Sequence, residues 1–194
     1  MSRRTQTSRE TNETKVVVAL DLDGAGRGSV STGVGFYDHL LSTLAHHALF
    51  DLEIEAAGDL EVDDHHVVED TALVLGSALA ECLGDRNGIA RFGDARVPMD
   101  EAWAQAVVDV GGRPYAVVEL PFTNERIGNL TTQNVAHCLD AFTRTGDITL
   151  HLAGSGLNDH HLAEAAFKAL ARALRMAVAD DPRRVGMPST KGTA

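Results

Sequence analysis

The sequence predicts an α+β fold made of two duplicated halves, each reading β-β-α-β-α. Three observations predict it. Residues 50–83 and 146–178 follow one order: an alternating strand, a glycine-containing loop, an Asp-His-His-x-x-Glu motif and an Ala/Leu-rich helix. The second motif repeats the first 95 positions later, with His65 matching His160, His66 matching His161 and Glu69 matching Glu164. Upstream, each half carries a helix with a histidine, His39 in one and His137 in the other, and a short gap aligns them. Two copies make a duplication rather than a solenoid.

The elements follow in order. Residues 1–12 are polar and read as a flexible lead-in. Residues 15–22, rich in β-branched side chains, read as a strand, 23–26 as a turn and 28–32 as a second, short strand. Leu40, Leu41 and Leu44 share a face of a helix over 36–47. Residues 49–56 alternate as a strand. Asp63 and Asp64 then open a long helix over 65–83, where acidic residues suit both capping and the dipole. In the second half, 104–110 and 115–120 read as strands, 130–143 as a helix and 147–153 as a strand. Asn158 and Asp159 cap a helix over 160–179. The halves are expected at 13–93 and 94–181, followed by an irregular tail at 182–194.

Composition narrows the function. The chain has 194 residues, 44% of them hydrophobic, which suffices for a core. A net charge of −11 argues against non-specific nucleic-acid binding, which needs a basic footprint. The two cysteines, Cys82 and Cys138, fall in amphipathic helices and read as buried free thiols, which points to a reducing, cytoplasmic setting. No apolar run approaches the ~20 residues of a membrane span, and the N-terminus lacks the apolar stretch of a signal peptide.

The duplicated motif carries the chemistry. Glu69 lies four residues after His65 and three after His66, so each pair shares a helix face. Adjacent histidines point about 100° apart around the axis and suit two ions better than one. Candidate ligands are therefore His39, His65, His66, Glu69, His137, His160, His161 and Glu164. Divided evenly, they give each of two metals three histidines and one glutamate, drawn from both halves or from different subunits. Imidazole and carboxylate without thiolate suit Mn, Fe, Co, Ni or Zn, and four protein ligands on an octahedral ion leave two positions open for substrate or water. His46 and His47 complement the C-terminal dipole of their helix, with His47 the better candidate for a substrate contact. His151 reads as structural.

Taken together, GVGFYDHLLSTLAHH (33–47), DDHHVVEDTALVLG (63–76), RFG (91–93), GGRP (111–114), DHHLAEAAFKALARAL (159–174) and PSTKG (188–192) resemble one family, imidazoleglycerol-phosphate dehydratase. The resemblance spans nearly the whole chain. It implies a ribosomal S5 domain 2-like half, with a four-stranded sheet and two helices on one face. It implies a lyase of histidine biosynthesis that binds two Mn²⁺ per active site at subunit interfaces and assembles from trimers into a 24-mer. The eight residues above match the family's ligands. Glu13, His39, His47, His65, Glu69, Arg91, Arg113, His160, Lys168, Ser189, Thr190 and Lys191 match substrate contacts. Among them Arg91, Arg113, Ser189 and Lys191 form the phosphate site, to which the tail contributes.

The implied reaction dehydrates imidazoleglycerol phosphate to imidazole acetol phosphate. No carbonyl is available to acidify the departing C–H. A metal on one ring nitrogen favours the imidazolate, which can expel the hydroxyl to give a diazafulvene-like intermediate. A carboxylate, Glu13 or Glu164, must then shuttle protons. Two other readings use the same ligands: a dinuclear metallohydrolase acting on a phosphate ester, and a module in which metal only joins subunits.

Overall fold

Two four-stranded sheets of identical topology flank four helices in a computed structural model that describes residues 3–191. The first half comprises β1 (Arg4–Glu10), β2 (Thr14–Asp21), β3 (Gly28–Ser31), α1 (Gly35–Ala48), β4 (Asp51–Gly58) and α2 (His65–Leu83). The second comprises β5 (Phe92–Met99), β6 (Ala102–Asp109), β7 (Tyr115–Glu119), the short pair β8 (Arg126–Ile127) and β9 (Leu130–Thr131), α3 (Thr132–Gly146), β10 (Thr149–Ser155) and α4 (Asp159–Ala177). The sheet orders are β1-β2-β4-β3 and β5-β6-β10-β7. In each sheet the first three strands pair antiparallel, and the last pairs parallel through a helical crossover, α1 or α3.

The α+β duplication therefore stands, with one correction. Each half is β-β-β-α-β-α, because the sequence reading lacked an edge strand in both. The supposed lead-in instead forms β1, in register with β2 from Arg4 opposite Asp21 to Glu10 opposite Lys15. Its sequence, RTQTSRE, has no apolar side chain, so hydrophobic alternation could not reveal it. Strand β5 escaped for another reason: Ala95, Val97 and Met99 alternate inward, but Gly93 and Pro98 interrupt the pattern. Met1 and Ser2, and 192–194 of the expected tail, lie outside the described residues.

Helices α1 and α2 cover the first sheet, and α3 and α4 the second. Across the middle, α1 packs on α4 and α2 on α3, so both halves share one core. Two glycines set close approaches. A Cβ on Gly76 would lie 2.4 Å from the Phe142 carbonyl oxygen, so α2 meets α3 backbone to backbone. A Cβ on Gly93 would lie 2.0 Å from the Ala173 carbonyl, which seats β5 directly on α4. No helix among the described residues is long and apolar enough to cross a membrane.

Candidate metal centre

The acidic residue before each motif ties its helix to one connection of the second half. Asp64 accepts hydrogen bonds from the Thr131 backbone N–H (2.7 Å) and hydroxyl (2.6 Å). Asp159 accepts from the backbone N–H groups of Thr123 (3.1 Å) and Asn124 (2.7 Å). Burial alone would raise both carboxyls, but these bonds outweigh it and hold both below the usual range. Asn158 caps α4 by accepting from the His160 N–H. Both motif helices thus start at fixed positions.

From those starts, six of the eight expected ligands converge as two threes. His39 on α1 joins His160 and Glu164 on α4, and His137 on α3 joins His65 and Glu69 on α2. Within each set the candidate ligand atoms lie within 4.8 Å of one another. Each set takes its lone histidine from one half and its His-x-x-x-Glu pair from the other.

In the α1/α4 set, Glu164 Oε1 lies 2.9 Å from both His39 Nε2 and His160 Nε2, and Lys168 Nζ sits 2.7 Å from Oε2. Burial opposes ionisation of Glu164, but the hydrogen bonds from Lys168, His39 and His160 prevail and bring it down to about 2. In the α2/α3 set, Glu69 Oε1 lies 3.3 Å from His137 Nε2 and accepts from Arg144 at 3.0 Å, while His65 Nε2 is 3.8 Å from Oε2. His137 Nε2 is buried and has no hydrogen-bond partner among the described residues. A buried ring nitrogen beside a carboxylate but without a hydrogen bond offers a lone pair that a cation would satisfy. The imidazole and carboxylate donors fit a divalent transition metal.

His66 and His161 join neither set. Their rings stand at 84° and 87° to those of His65 and His160, and adjacency on a helix turns their side chains about 100° away from those neighbours. His66 Nδ1 faces Asp59 at 3.0 Å with Glu13 at 4.0 Å, and His161 Nδ1 faces Glu101 at 2.8 Å. These contacts raise both histidines above their ordinary pKa. One chain therefore brings two histidines and a glutamate together in each set.

The expected phosphate residues gather elsewhere. Arg91 clamps Asp109 through Nε (2.7 Å) and Nη2 (3.0 Å), and its Nη1 donates to the Pro188 carbonyl (2.7 Å). That bond brings Ser189, Thr190 and Lys191 alongside, and Ser189 Oγ accepts from the Lys191 N–H. Arg113 is exposed on the loop whose Gly111 lies against the Arg91 guanidinium. Lys168 belongs instead with Glu164. His47 is near it: burial first, then the neighbouring His46, Lys168 and Arg172, holds His47 below the ordinary histidine value. The Arg91 N–H donates to the Ala177 carbonyl near the end of α4. Thirteen residues of helix separate Ala177 from Glu164, about 20 Å at 1.5 Å per residue. The clefts of about 400 Å³ beside β1 and β2 and about 530 Å³ beside β1 and α2 contain none of the eight candidate ligands.

Sequence reasoning missed Asp59, Glu101, Arg144 and Asp109. Glu101 alone left a signal: it precedes β6 as Glu13 precedes β2, at the same hairpin turn of the duplicated unit.

Fold and site together define a duplicated α+β protein with two pseudo-equivalent His₂Glu chelating sets, compatible with a metal-dependent enzyme. A family model described as imidazoleglycerol-phosphate dehydratase matches residues 32–174, and the chain belongs to that family. It is 52% identical over 190 residues to the imidazoleglycerol-phosphate dehydratase of Methanococcoides burtonii, covering 98% of each chain. It is 51% identical over 194 residues to that of Acidiphilium cryptum, covering 99% of each. The crystal structure of the Staphylococcus aureus enzyme superposes with a TM-score of 0.83 at 35% identity, covering 92% of this chain and 99% of that one. The Pyrococcus furiosus enzyme, solved in complex with (S)-C348, gives 0.83 at 34% identity over 97% of this chain and 100% of that one.

Proposed function

We infer that this chain is a hydro-lyase (EC 4.2.1.19) of histidine biosynthesis, converting imidazoleglycerol phosphate to imidazole acetol phosphate and water. The observation that carries the reading is the pair of cross-half His₂Glu sets in a chain of this family. Two Mn²⁺ per active site would be held by His39, His160 and Glu164 and by His65, Glu69 and His137, with His66 and His161 of neighbouring chains as further ligands. When bound, the ions supply Lewis acidity toward a ring nitrogen and a hydroxyl, favouring the imidazolate form.

The chain's own residues do the rest. Glu13 is the better proton shuttle of the two candidates. Both oxygens of Glu164 are engaged, by two imidazoles and Lys168, whereas among the described residues the exposed Glu13 has only the distant His66 Nδ1, at 4.0 Å, as an ion-pair partner. Arg91, Arg113, Ser189, Thr190 and Lys191 would bind the phosphate; the Arg91 fork is held by Asp109, so Arg91 would contribute its charge and the exposed Arg113 a bidentate fork. His47 and Lys168 flank the substrate.

The ~20 Å along α4 between Glu164 and the Arg91 corner far exceeds the substrate's three-carbon chain. One chain's metal ligands and its phosphate residues therefore serve different active sites, which supports assembly, on the family's pattern, into a 24-mer of trimers. We place the protein in the cytoplasm, where the free, buried Cys82 and Cys138 stay reduced.

The test is complementation. His160→Ala and Arg91→Ala particles are each expected to be inactive. After dissociation and reassembly as a mixture with Mn²⁺, part of the activity should return. If mixing restores nothing, the shared site is wrong. Release of free phosphate instead of the dehydrated ketone would favour a hydrolase.

A further inference from the structure

The two histidines left outside the chelating sets share a feature. Each offers Nδ1 to a nearby carboxylate. His66 Nδ1 lies 3.0 Å from Asp59 Oδ2 and 3.2 Å from Oδ1. His161 Nδ1 lies 2.8 Å from Glu101 Oε2. In the other four histidines, the nitrogen facing Glu69 or Glu164 is Nε2. Asp100 approaches His161 Nε2 only to 3.9 Å, beyond hydrogen-bond reach.

A neutral imidazole carries one proton, and its other nitrogen holds the lone pair that binds metal. A carboxylate on Nδ1 keeps the proton there and fixes the ring. We propose that Asp59 and Glu101 are positioning residues that hold the Nδ1–H tautomer of His66 and His161, leaving Nε2 as the metal donor of each. This rests on the metal-dependent reading above.

The two carboxylates differ in a way that makes the proposal sharp. Glu101 Oε1 is already committed, accepting from the backbone N–H groups of Leu157 (3.2 Å) and Asn158 (2.9 Å). In Glu101→Gln the carbonyl must stay on those two donors, so the new NH₂ faces His161. That forces Nδ1 to accept and moves the proton to Nε2. Asp59 has no such commitment: both its oxygens face His66. In Asp59→Asn the amide can turn its carbonyl to Nδ1–H and keep the tautomer. Removing charge at the two equivalent sites should therefore have unequal effects.

The experiment measures Mn²⁺ affinity of the full-length protein by competition with a chelator, for wild type, Glu101→Gln, Glu101→Ala, Asp59→Asn and Asp59→Ala. Thermal melting of each metal-free protein is recorded alongside. Glu101→Gln, Glu101→Ala and Asp59→Ala are expected to lose about 10- to 100-fold in affinity, the usual effect of removing an outer partner of a ligand. Asp59→Asn should recover most of that loss, and metal-free Glu101→Gln should melt near wild type because its carbonyl still caps 157 and 158. If wild type binds no Mn²⁺, the metal reading falls and this inference with it. If wild type binds and Glu101→Gln binds as well, only the inference falls. Equal impairment of Glu101→Gln and Asp59→Asn would make charge, not proton placement, the cause and overturn it. So would an affinity loss that merely tracks a lower melting point.

Discussion

The two chelating sets are copies of one design, yet they neutralise their glutamates differently. In the α1/α4 set, Lys168 stands one turn beyond Glu164 on the same helix, and the carboxylate is almost enclosed at 8% exposure. The equivalent position one turn beyond Glu69 is Leu73, partly buried against the core. There the countercharge is Arg144, reaching across from α3, while His46 stands at the equivalent place on α1. The helix crossings differ too. Gly76 and Gly146 let α2 and α3 touch, where the matching residues of the α4/α1 pair are Ala171 and Ala48. Duplication thus kept the placement of the ligands and let their support diverge. A metal needs donors within a narrow shell, but a carboxylate accepts compensation from any direction.

The sharpest way to break this comparison is to remove one ligand from each copy. His65→Ala and His160→Ala should each abolish turnover, by more than the ~10- to 100-fold typical of losing an outer partner. Steady-state assay with Mn²⁺ content measured in parallel checks both. If one variant kept full activity, its set would be structural and the symmetry only apparent. Both keeping it would remove the metal mechanism.

The crossings give a smaller effect. Gly76→Ala drives a Cβ toward the Phe142 carbonyl at 2.4 Å and the Thr145 Oγ at 2.2 Å, so α2 and α3 must part. Overpacking of this kind costs about 1–3 kcal/mol. Parting the helices should also weaken metal binding at the His65/Glu69/His137 set. Ala171→Gly at the matching place should cost about 1 kcal/mol, the ordinary effect of helix glycine, and leave metal affinity alone. Denaturant unfolding and metal titration separate the two, and equal metal affinities would show that the close crossing does not position the set.

How much of this was legible in the sequence follows from the range of each interaction. His65 with Glu69 and His160 with Glu164 are one helical turn apart, so spacing alone placed each pair on one face. The lone histidines His39 and His137 were visible only through the duplication. Which half each serves was not, because the exchange between halves arises from α1 packing on α4 and α2 on α3. Glu101 and His161 are 60 residues apart, and Glu69 and Arg144 are 75 apart, so no local pattern joins them. Strand β1 stayed hidden because it has no apolar side chain to alternate, and β5 because Gly93 and Pro98 interrupt the alternation of Ala95, Val97 and Met99.

The countercharges give the smallest and most specific contrast, read in metal-free protein against pH. Glu164 falls to about 2, with burial opposing the shift and the Lys168 hydrogen bond the foremost cause driving it. A carboxyl depressed on folding adds stability in full above its unfolded value of about 4.3, and the gain is lost as pH falls toward the folded value. Lys168→Met removes the leading cause and moves the folded value up. The variant should be less stable than wild type at neutral pH, and the gap should narrow as pH falls from about 5 toward 3. Arg144 is half exposed, and its ion pair with Glu69 belongs to the range of about 0–1 kcal/mol. Arg144→Met should therefore sit close to wild type at neutral pH. Urea unfolding of the three proteins across that range decides the matter. A Lys168→Met gap that stayed constant with pH would mean that Lys168 supports α4 through its Nζ contact with Met99 Sδ rather than by its charge on Glu164.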